Sequence, residues 1–154
     1  MTKLIITIGC PGAGKSTWAD RNLPSTTLRL ERDRFREAMW GSRQAYHDDP
    51  LAPAVKSLVI GSAMFNAARY WPEDRDIALT DTNIHWSAVK RFAGLRRQPE
   101  LLVFYHPLDL LLERNRTRPV EHRVPETVLR EFHAAMSDHN AWWRKYPHRK
   151  IERD

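Results

Sequence analysis

The chain has 154 residues, with 25 Lys plus Arg against 19 Asp plus Glu, a formal net charge of +6. That length supports one core but not two, so a single domain over residues 1–154 is expected. Hydrophobic residues at 42% and charged residues at 29% exclude a disordered chain, and no apolar run reaches the ~18 residues of a membrane span.

Cys10 is the only cysteine, so no internal disulfide can form and a reducing compartment is expected. The N-terminal apolar run, Leu4 to Ile8, is short and passes into a glycine loop rather than a cleavage site, which argues for a cytoplasmic protein. Arg accounts for 19 of the cations and Lys for 6. Guanidinium pairs bidentately with phosphate, which points to a polyanionic partner, while a GC-rich coding sequence gives the same count with no meaning.

In chain order, β-rich apolar runs fall at Leu4 to Ile8, Thr26 to Leu30, Ile77 to Thr80 and Leu101 to Tyr105. Helical spacing marks Lys15 to Arg21, Arg34 to Trp40, Pro53 to Tyr70, Trp86 to Leu95, Leu108 to Arg116 and Pro125 to His139. Strands alternating with helices predict an α/β fold with a central parallel sheet of four or five strands flanked by helices. Helix Pro53 to Tyr70 either lines an acceptor channel or simply packs.

The segment from Gly9 to Thr17 fits G-x-x-x-x-G-K-[ST] between a predicted strand and a predicted helix, the context a phosphate-binding loop requires. Backbone N–H groups across Gly9, Gly12, Ala13, Gly14 and Thr17 would close around the β-phosphate, Lys15 would reach the β- and γ-phosphates, and the Ser16 hydroxyl would ligate Mg²⁺. ATP and Mg²⁺ are therefore the expected cofactors.

The second strand runs into Glu31-Arg32-Asp33-Arg34-Phe35-Arg36 at a carboxyl end of the sheet, where open α/β folds bind ligands. Asp33 there can take a proton from an attacking hydroxyl, or can cap a helix starting at Arg34. Arg36, three residues on, can hold an acceptor phosphate or be a solvated charge. The third strand ends in Thr80-Asp81-Thr82-Asn83, where Asp81 can hold Mg²⁺ through water, brace Arg36, or cap the next helix.

Glu113 to Arg118 puts Arg114, Arg116 and Arg118 at a helix end before a Pro-containing loop, the pattern of a lid over about 114–125 that neutralises charge on a transferring phosphoryl group. Two further stretches are ambiguous. Trp142 to Tyr146 mixes aromatics and cations as single-strand binding surfaces do, or docks a terminal segment on the core. His47-Asp48-Asp49 reads as a solvated loop rather than a metal cluster.

Taken together, GCPGAGKSTWA, ERDRFR, TDTN and ERNRTR leading to VPETVLREF span residues 9 to 132 and resemble the kinase domain of phage-type polynucleotide 5′-kinases. The resemblance implies Asp33 as general base, Arg36 on the phosphate 3′ of the target nucleoside, Lys15 and Ser16 as the loop pair, Arg118 on the nucleotide phosphates, and Asp81 supporting the site. Arg118 stands one residue further from the V-P element than the family pattern, and Arg114 is assigned to the nucleotide phosphates from the arginine cluster alone. Arg34 stands where the family often has a second acidic residue, which gives a more positive acceptor entrance. The implied reaction moves the ATP γ-phosphate to a hydroxyl on DNA, foremost a 5′-hydroxyl end. Related phage kinases instead phosphorylate the hydroxymethyl group of 5-hydroxymethyluracil in DNA. A small-metabolite kinase and a nucleic-acid-binding P-loop ATPase are the remaining alternatives.

Overall fold

The computed structural model describes residues 1–152. Five parallel strands form one sheet in the order β2-β3-β1-β4-β5. They are β1 (Lys3–Gly9), β2 (Leu28–Leu30), β3 (Ile77–Leu79), β4 (Gln98–Phe104) and β5 (His148–Lys150). The helices are α1 (Lys15–Asn22), α2 (Arg32–Trp40), α3 (Arg43–Asp48), α4 (Pro53–Tyr70), α5 (Trp86–Val89), α6 (Leu108–Thr117) and α7 (Glu126–Ser137), with short 3₁₀ turns after α5, after α6 and before β5.

The central strands are apolar because helices cover both faces of a parallel sheet. In β1 every residue from Leu4 to Gly9 is buried, and all three residues of β3 are buried. Helix α1 carries the chain from β1 to β2, and α2 to α4 from β2 to β3, on one side of β1, while β4 pairs with β1 on the other. The loop after β1 therefore sits where the strand order reverses, the position at which such sheets bind ligands.

In α4 the buried residues Lys56, Ile60, Met64 and Ala68 recur every four positions, so one stripe faces the core. Lys56 is tolerated there because its ammonium donates to the carbonyls of Tyr46 (2.7 Å) and Asp49 (3.1 Å) and lies 4.7 Å from the Tyr46 ring centroid.

Several expected boundaries shift for identifiable reasons. The helix expected from Trp86 to Leu95 is α helix only to Val89 and continues as a 3₁₀ turn through Phe92. Helix α7 begins at Glu126, with Pro125 in the capping position rather than inside the first turn. Strand β4 extends back through Pro99, because β5 pairs only with Leu101 to Val103 and demands no donor at Pro99. Strand β5 lacked any apolar pattern, being an exposed, charged edge strand.

The segment around His47 is helix α3 rather than a loop, with His47 and Asp48 solvated as expected. Ser42 caps it, its hydroxyl accepting from the Ala45 N–H at 3.0 Å. Asp49 accepts from the Trp40 indole N–H (3.1 Å) and the Leu51 N–H (2.8 Å), so it joins α2 to the start of α4.

Candidate active site

A cavity of about 750 Å³ lies over the carboxyl ends of β1, β2 and β3. Its walls come from the glycine loop and α1, from the start of α2, from α3, and from the segment after α6.

Two glycines shape the loop by adopting positive φ, Gly12 at 82° and Gly14 at 93°, which L side chains rarely adopt. Gly9 has a different reason: a Cβ there would meet the Phe104 carbonyl oxygen at 2.8 Å, so only glycine lets β1 run that close to β4. Gly9 and Ala13 lie behind the cavity rather than in its wall, whereas Gly12, Gly14, Lys15, Ser16 and Thr17 line it. His106 braces the loop from behind, its Nε2 3.1 Å from the Ala13 carbonyl oxygen. The N-terminus of α1 opens on the cavity with its orphan N–H groups and positive dipole end, an arrangement that can hold phosphate.

The Lys15 ammonium is buried and donates to the Cys10 carbonyl at 2.6 Å. Burial lowers its pKa from 10.5 to about 8, against the opposing pull of nearby Asp81 and Glu31.

Ser16 donates to Glu31 Oε1 at 3.0 Å. The other oxygen of Glu31 accepts from Arg29 (2.9 Å) and from the Thr80 hydroxyl (3.1 Å), which ties the loop to β2 and β3 through one carboxylate. Sequence reasoning gave Glu31 no role, although it stood in the same motif as Asp33. Ser16, Glu31 and Asp81 present hard oxygen donors on one wall of the cavity. That donor set suits Mg²⁺, which keeps several waters and takes its remaining ligands from phosphate, and no cluster of three His, Cys, Asp or Glu residues is needed or found among the described residues.

Asp33 is not a helix cap. Helix α2 begins at Arg32, two residues earlier than expected, and leaves Asp33 in the first turn facing the cavity. Its Oδ1 lies 2.6 Å from Arg36 Nη1 and its Oδ2 lies 3.4 Å from Arg43 Nη2. Arg36 also lies 5.0 Å from the Tyr46 ring centroid. Burial works against the Arg36 charge, and the Asp33 carboxylate more than restores it, holding the guanidinium above its ordinary pKa. Arg43 and His47, both from α3, complete this wall; the sequence had not marked Arg43, and had marked His47 only as part of a solvated loop.

The cap expected of Asp33 is supplied by Asp81, whose Oδ1 accepts from the Arg32 N–H at 2.9 Å. Asp81 thus fastens α2 to the end of β3 and does not touch Arg36. Burial raises its pKa to about 6, countered by the Arg32 N–H and reinforced by Glu31 and Asp33. The loop carrying Asp81 is fixed by Asn83, a buried residue at φ 47°, whose amide donates to the carbonyls of Thr7 (2.9 Å), Leu79 (3.2 Å) and Asp81 (3.2 Å). Asn is among the residues that best tolerate that backbone conformation.

From the far side, Arg114 donates to the Gly12 carbonyl at 3.0 Å, and Arg118 lines the cavity with Arg123. Burial and the neighbouring Arg43 lower the Arg118 pKa, with Asp33 pulling the other way. Arg116 faces out instead, paired with Glu126 at 3.0 Å. The segment after α6 is held by Asn115, whose amide donates to the Val124 carbonyl (2.8 Å) and whose Oδ1 accepts from the Val124 N–H (3.1 Å).

Arg34 is not brought to the cavity. It lies 3.6 Å from Asp20 and 3.8 Å from Glu31, on the outer side of α2. Of the C-terminal aromatics the two tryptophans dock and Tyr146 stays exposed: Trp143 is 2% exposed, and the Trp142 indole N–H donates to the Asn83 carbonyl at 3.1 Å.

A five-stranded parallel sheet with this loop after its central strand is a P-loop kinase fold. The chain belongs to a family described as an AAA domain, whose model matches residues 4–139. Among solved structures, it is similar to a chain of the Pnkp1/Rnl/Hen1 RNA repair complex at 19% identity and a TM-score of 0.66, covering 95% of this chain and 46% of that one. It is also similar to shikimate kinase from Acinetobacter baumannii in complex with shikimate, at 18% identity and 0.60, over 100% of this chain and 84% of that one. Kti12 from Chaetomium thermophilum in complex with ADP-AlF3 matches at 16% identity and 0.61, over 96% and 88%. The chain spans about half the length of the RNA repair chain it resembles. No helix among the described residues is long and apolar enough to cross a membrane.

Proposed function

We propose that this protein is an ATP-dependent kinase that transfers the γ-phosphoryl group to a hydroxyl of a polynucleotide, foremost a 5′-hydroxyl end. The observation that carries this reading is Asp33, held by Arg36 and Arg43 in the same cavity as the Lys15 loop. A switch or simple ATPase has no need of a carboxylate clamped between two guanidiniums opposite the phosphate loop. The similarity to a chain of an RNA repair complex supports a nucleic-acid acceptor, and the cationic wall of Arg36, Arg43 and Arg118 supports a phosphorylated one.

In this reading Arg36 holds an acceptor phosphate and places the hydroxyl beside Asp33. Asp33 takes the hydroxyl proton as the oxygen bonds to the γ-phosphorus, and the bond from that phosphorus to the ADP oxygen breaks. Lys15, Arg114 and Arg118 meet the negative charge spread over the transferring group. Mg²⁺, held from Ser16 with Asp81 nearby, supplies charge neutralisation on the triphosphate when bound.

The test offers radiolabelled γ-phosphate ATP with two DNA acceptors, one with free 5′-hydroxyls and ordinary bases, the other with blocked ends and internal 5-hydroxymethyluracil. Label on the first is the expected result. Label on the second alone would reassign the acceptor to the modified base, and label on neither would turn the search to small metabolites. Asp33→Ala should lower transfer to the first acceptor about 10²- to 10⁴-fold while ATP affinity stays nearly intact. Equal loss of both would refute the base assignment.

A further inference from the structure

A second cavity of about 440 Å³ adjoins the first, between α4 and α5, and Asp81 and Thr82 stand in the walls of both. We infer that this second cavity is a phosphate subsite for the acceptor strand beyond its first nucleotide, with Arg32 and Arg91 as its anion-holding residues. The inference rests on the polynucleotide reading above.

Gly61 lies in the interior of α4, where glycine is unfavourable. A Cβ at Gly61 would lie 3.1 Å from Arg91 Nη1 and 3.9 Å from Arg32 Nη1. The missing side chain therefore makes room for two guanidiniums to converge on one point. Two like charges brought together without a carboxylate between them call for an anion. Arg32 is fixed by bonds from Nη2 to the Ser57 carbonyl (3.1 Å) and hydroxyl (2.9 Å), which accept without neutralising it. Arg91 has no ion pair among the described residues. Asp81 is the one acidic residue in this cavity's wall; it accepts from the Arg32 backbone and also attracts the Arg32 guanidinium, so a single carboxylate stands against two cations.

The path also connects. Arg32 and Asp33 are adjacent in the first turn of α2, so Arg32 turns to the second cavity while Asp33 turns to the first. A strand whose terminal hydroxyl reaches Asp33 can pass over the Asp81–Thr82 ridge and lay a following phosphate between Arg32 and Arg91. Leu58, Met64 and Phe92 give the same cavity an apolar wall for a sugar or base face. A free nucleoside 3′-monophosphate carries only the phosphate proposed for Arg36 and would not reach this subsite.

The experiment compares a DNA tetranucleotide with a nucleoside 3′-monophosphate as acceptors for the full chain, its Arg91→Ala variant and its Gly61→Ala variant. Alanine improves helix propensity at position 61, so that variant should keep or raise Tm while crowding the guanidiniums. The expected result is a tetranucleotide KM raised about tenfold by Arg91→Ala, and in the same direction by Gly61→Ala, with the monophosphate KM unchanged. The slope of log KM against log salt for the tetranucleotide should fall by about 1 in Arg91→Ala. No change, or equal change for both acceptors, overturns the subsite and leaves the kinase reading standing. If the wild type phosphorylates neither acceptor, the polynucleotide reading fails, and fluorescence anisotropy of a labelled tetranucleotide decides the subsite: weaker binding by both variants supports it and equal binding overturns it.

Discussion

Lys15 shows how one buried charge sets both an affinity and a stability cost. Its folded-state pKa of about 8 lies below the ordinary 10.5, so at pH 7 the folded chain carries a charge it would shed more readily than the unfolded chain. That costs the fold up to about 3 kcal/mol below pH 8, and the cost fades as pH rises from 8 toward 10.5. Lys15→Met should therefore raise Tm at pH 7 while abolishing nucleotide binding. A bound triphosphate favours the ammonium, so ATP affinity should fall as pH rises from 7 to 9, approaching tenfold per unit above about 8. Calorimetric titration across that range checks it, and a flat profile would remove Lys15 from the binding equilibrium.

The residues of the glycine loop were legible because their chemistry is local: two positive φ angles, a lysine and a hydroxyl within nine residues. Glu31 was not, because its importance lies in joining Ser16 to Thr80, residues far apart in sequence. Asp33 and Asp81 were both legible as residues at the carboxyl end of the sheet, where the cavity lies, but which of them caps α2 was not. A cap is normally read from the residue just before a helix, and here it comes from the end of another strand.

At the scale of elements, Asn115 ties the segment between α6 and α7 back to α6, alongside the Arg116–Glu126 pair and the Arg123 bond to the Arg118 carbonyl. Asn115 imitates a backbone partner for Val124, fixing the return of the chain that carries Arg118 and Arg123 over the cavity. Asn115→Ala should cost about 1–3 kcal/mol, since it leaves a carbonyl and an N–H without their partner. Amide exchange should accelerate between residues 118 and 124, and the KM for ATP should rise with little change in kcat. Unchanged exchange there despite a lowered Tm would show that the segment is held elsewhere. Helix α3 carries the matching lesson for the opposite wall. Its Ser42 cap was present in the sequence, but six residues offer too little periodicity to announce a helix, so Arg43 went unplaced and His47 was assigned to a loop.

Across the molecule, the C-terminal segment closes the sheet by burying Trp143, whose ring lies 5.1 Å from that of His148 at the start of β5. Trp143→Ala should destabilise the fold by about 3–5 kcal/mol in urea unfolding. Trp143→Phe should cost far less, about 1 kcal/mol, because the indole N–H has no partner to lose. Similar losses for the two variants would mean that the full indole volume, not an aromatic ring alone, is what holds the segment.

The sequence by itself determined the parallel α/β class, the phosphate loop and the carboxylate at the end of β2, because each is written in short-range periodicity or in a contiguous motif. Only the tertiary structure decided that Arg43 reaches Asp33 while Arg34 turns away from the cavity, that Asp81 fastens α2, and that Arg32 and Arg91 meet over Gly61. These are meetings between residues 10 to 59 positions apart in the chain. Side-chain direction on a helix turns by about 100° per residue, so a shift of two residues in where α2 begins changes which face each arginine occupies. No local pattern carries that information, and packing against β3, α3 and α4 supplies it.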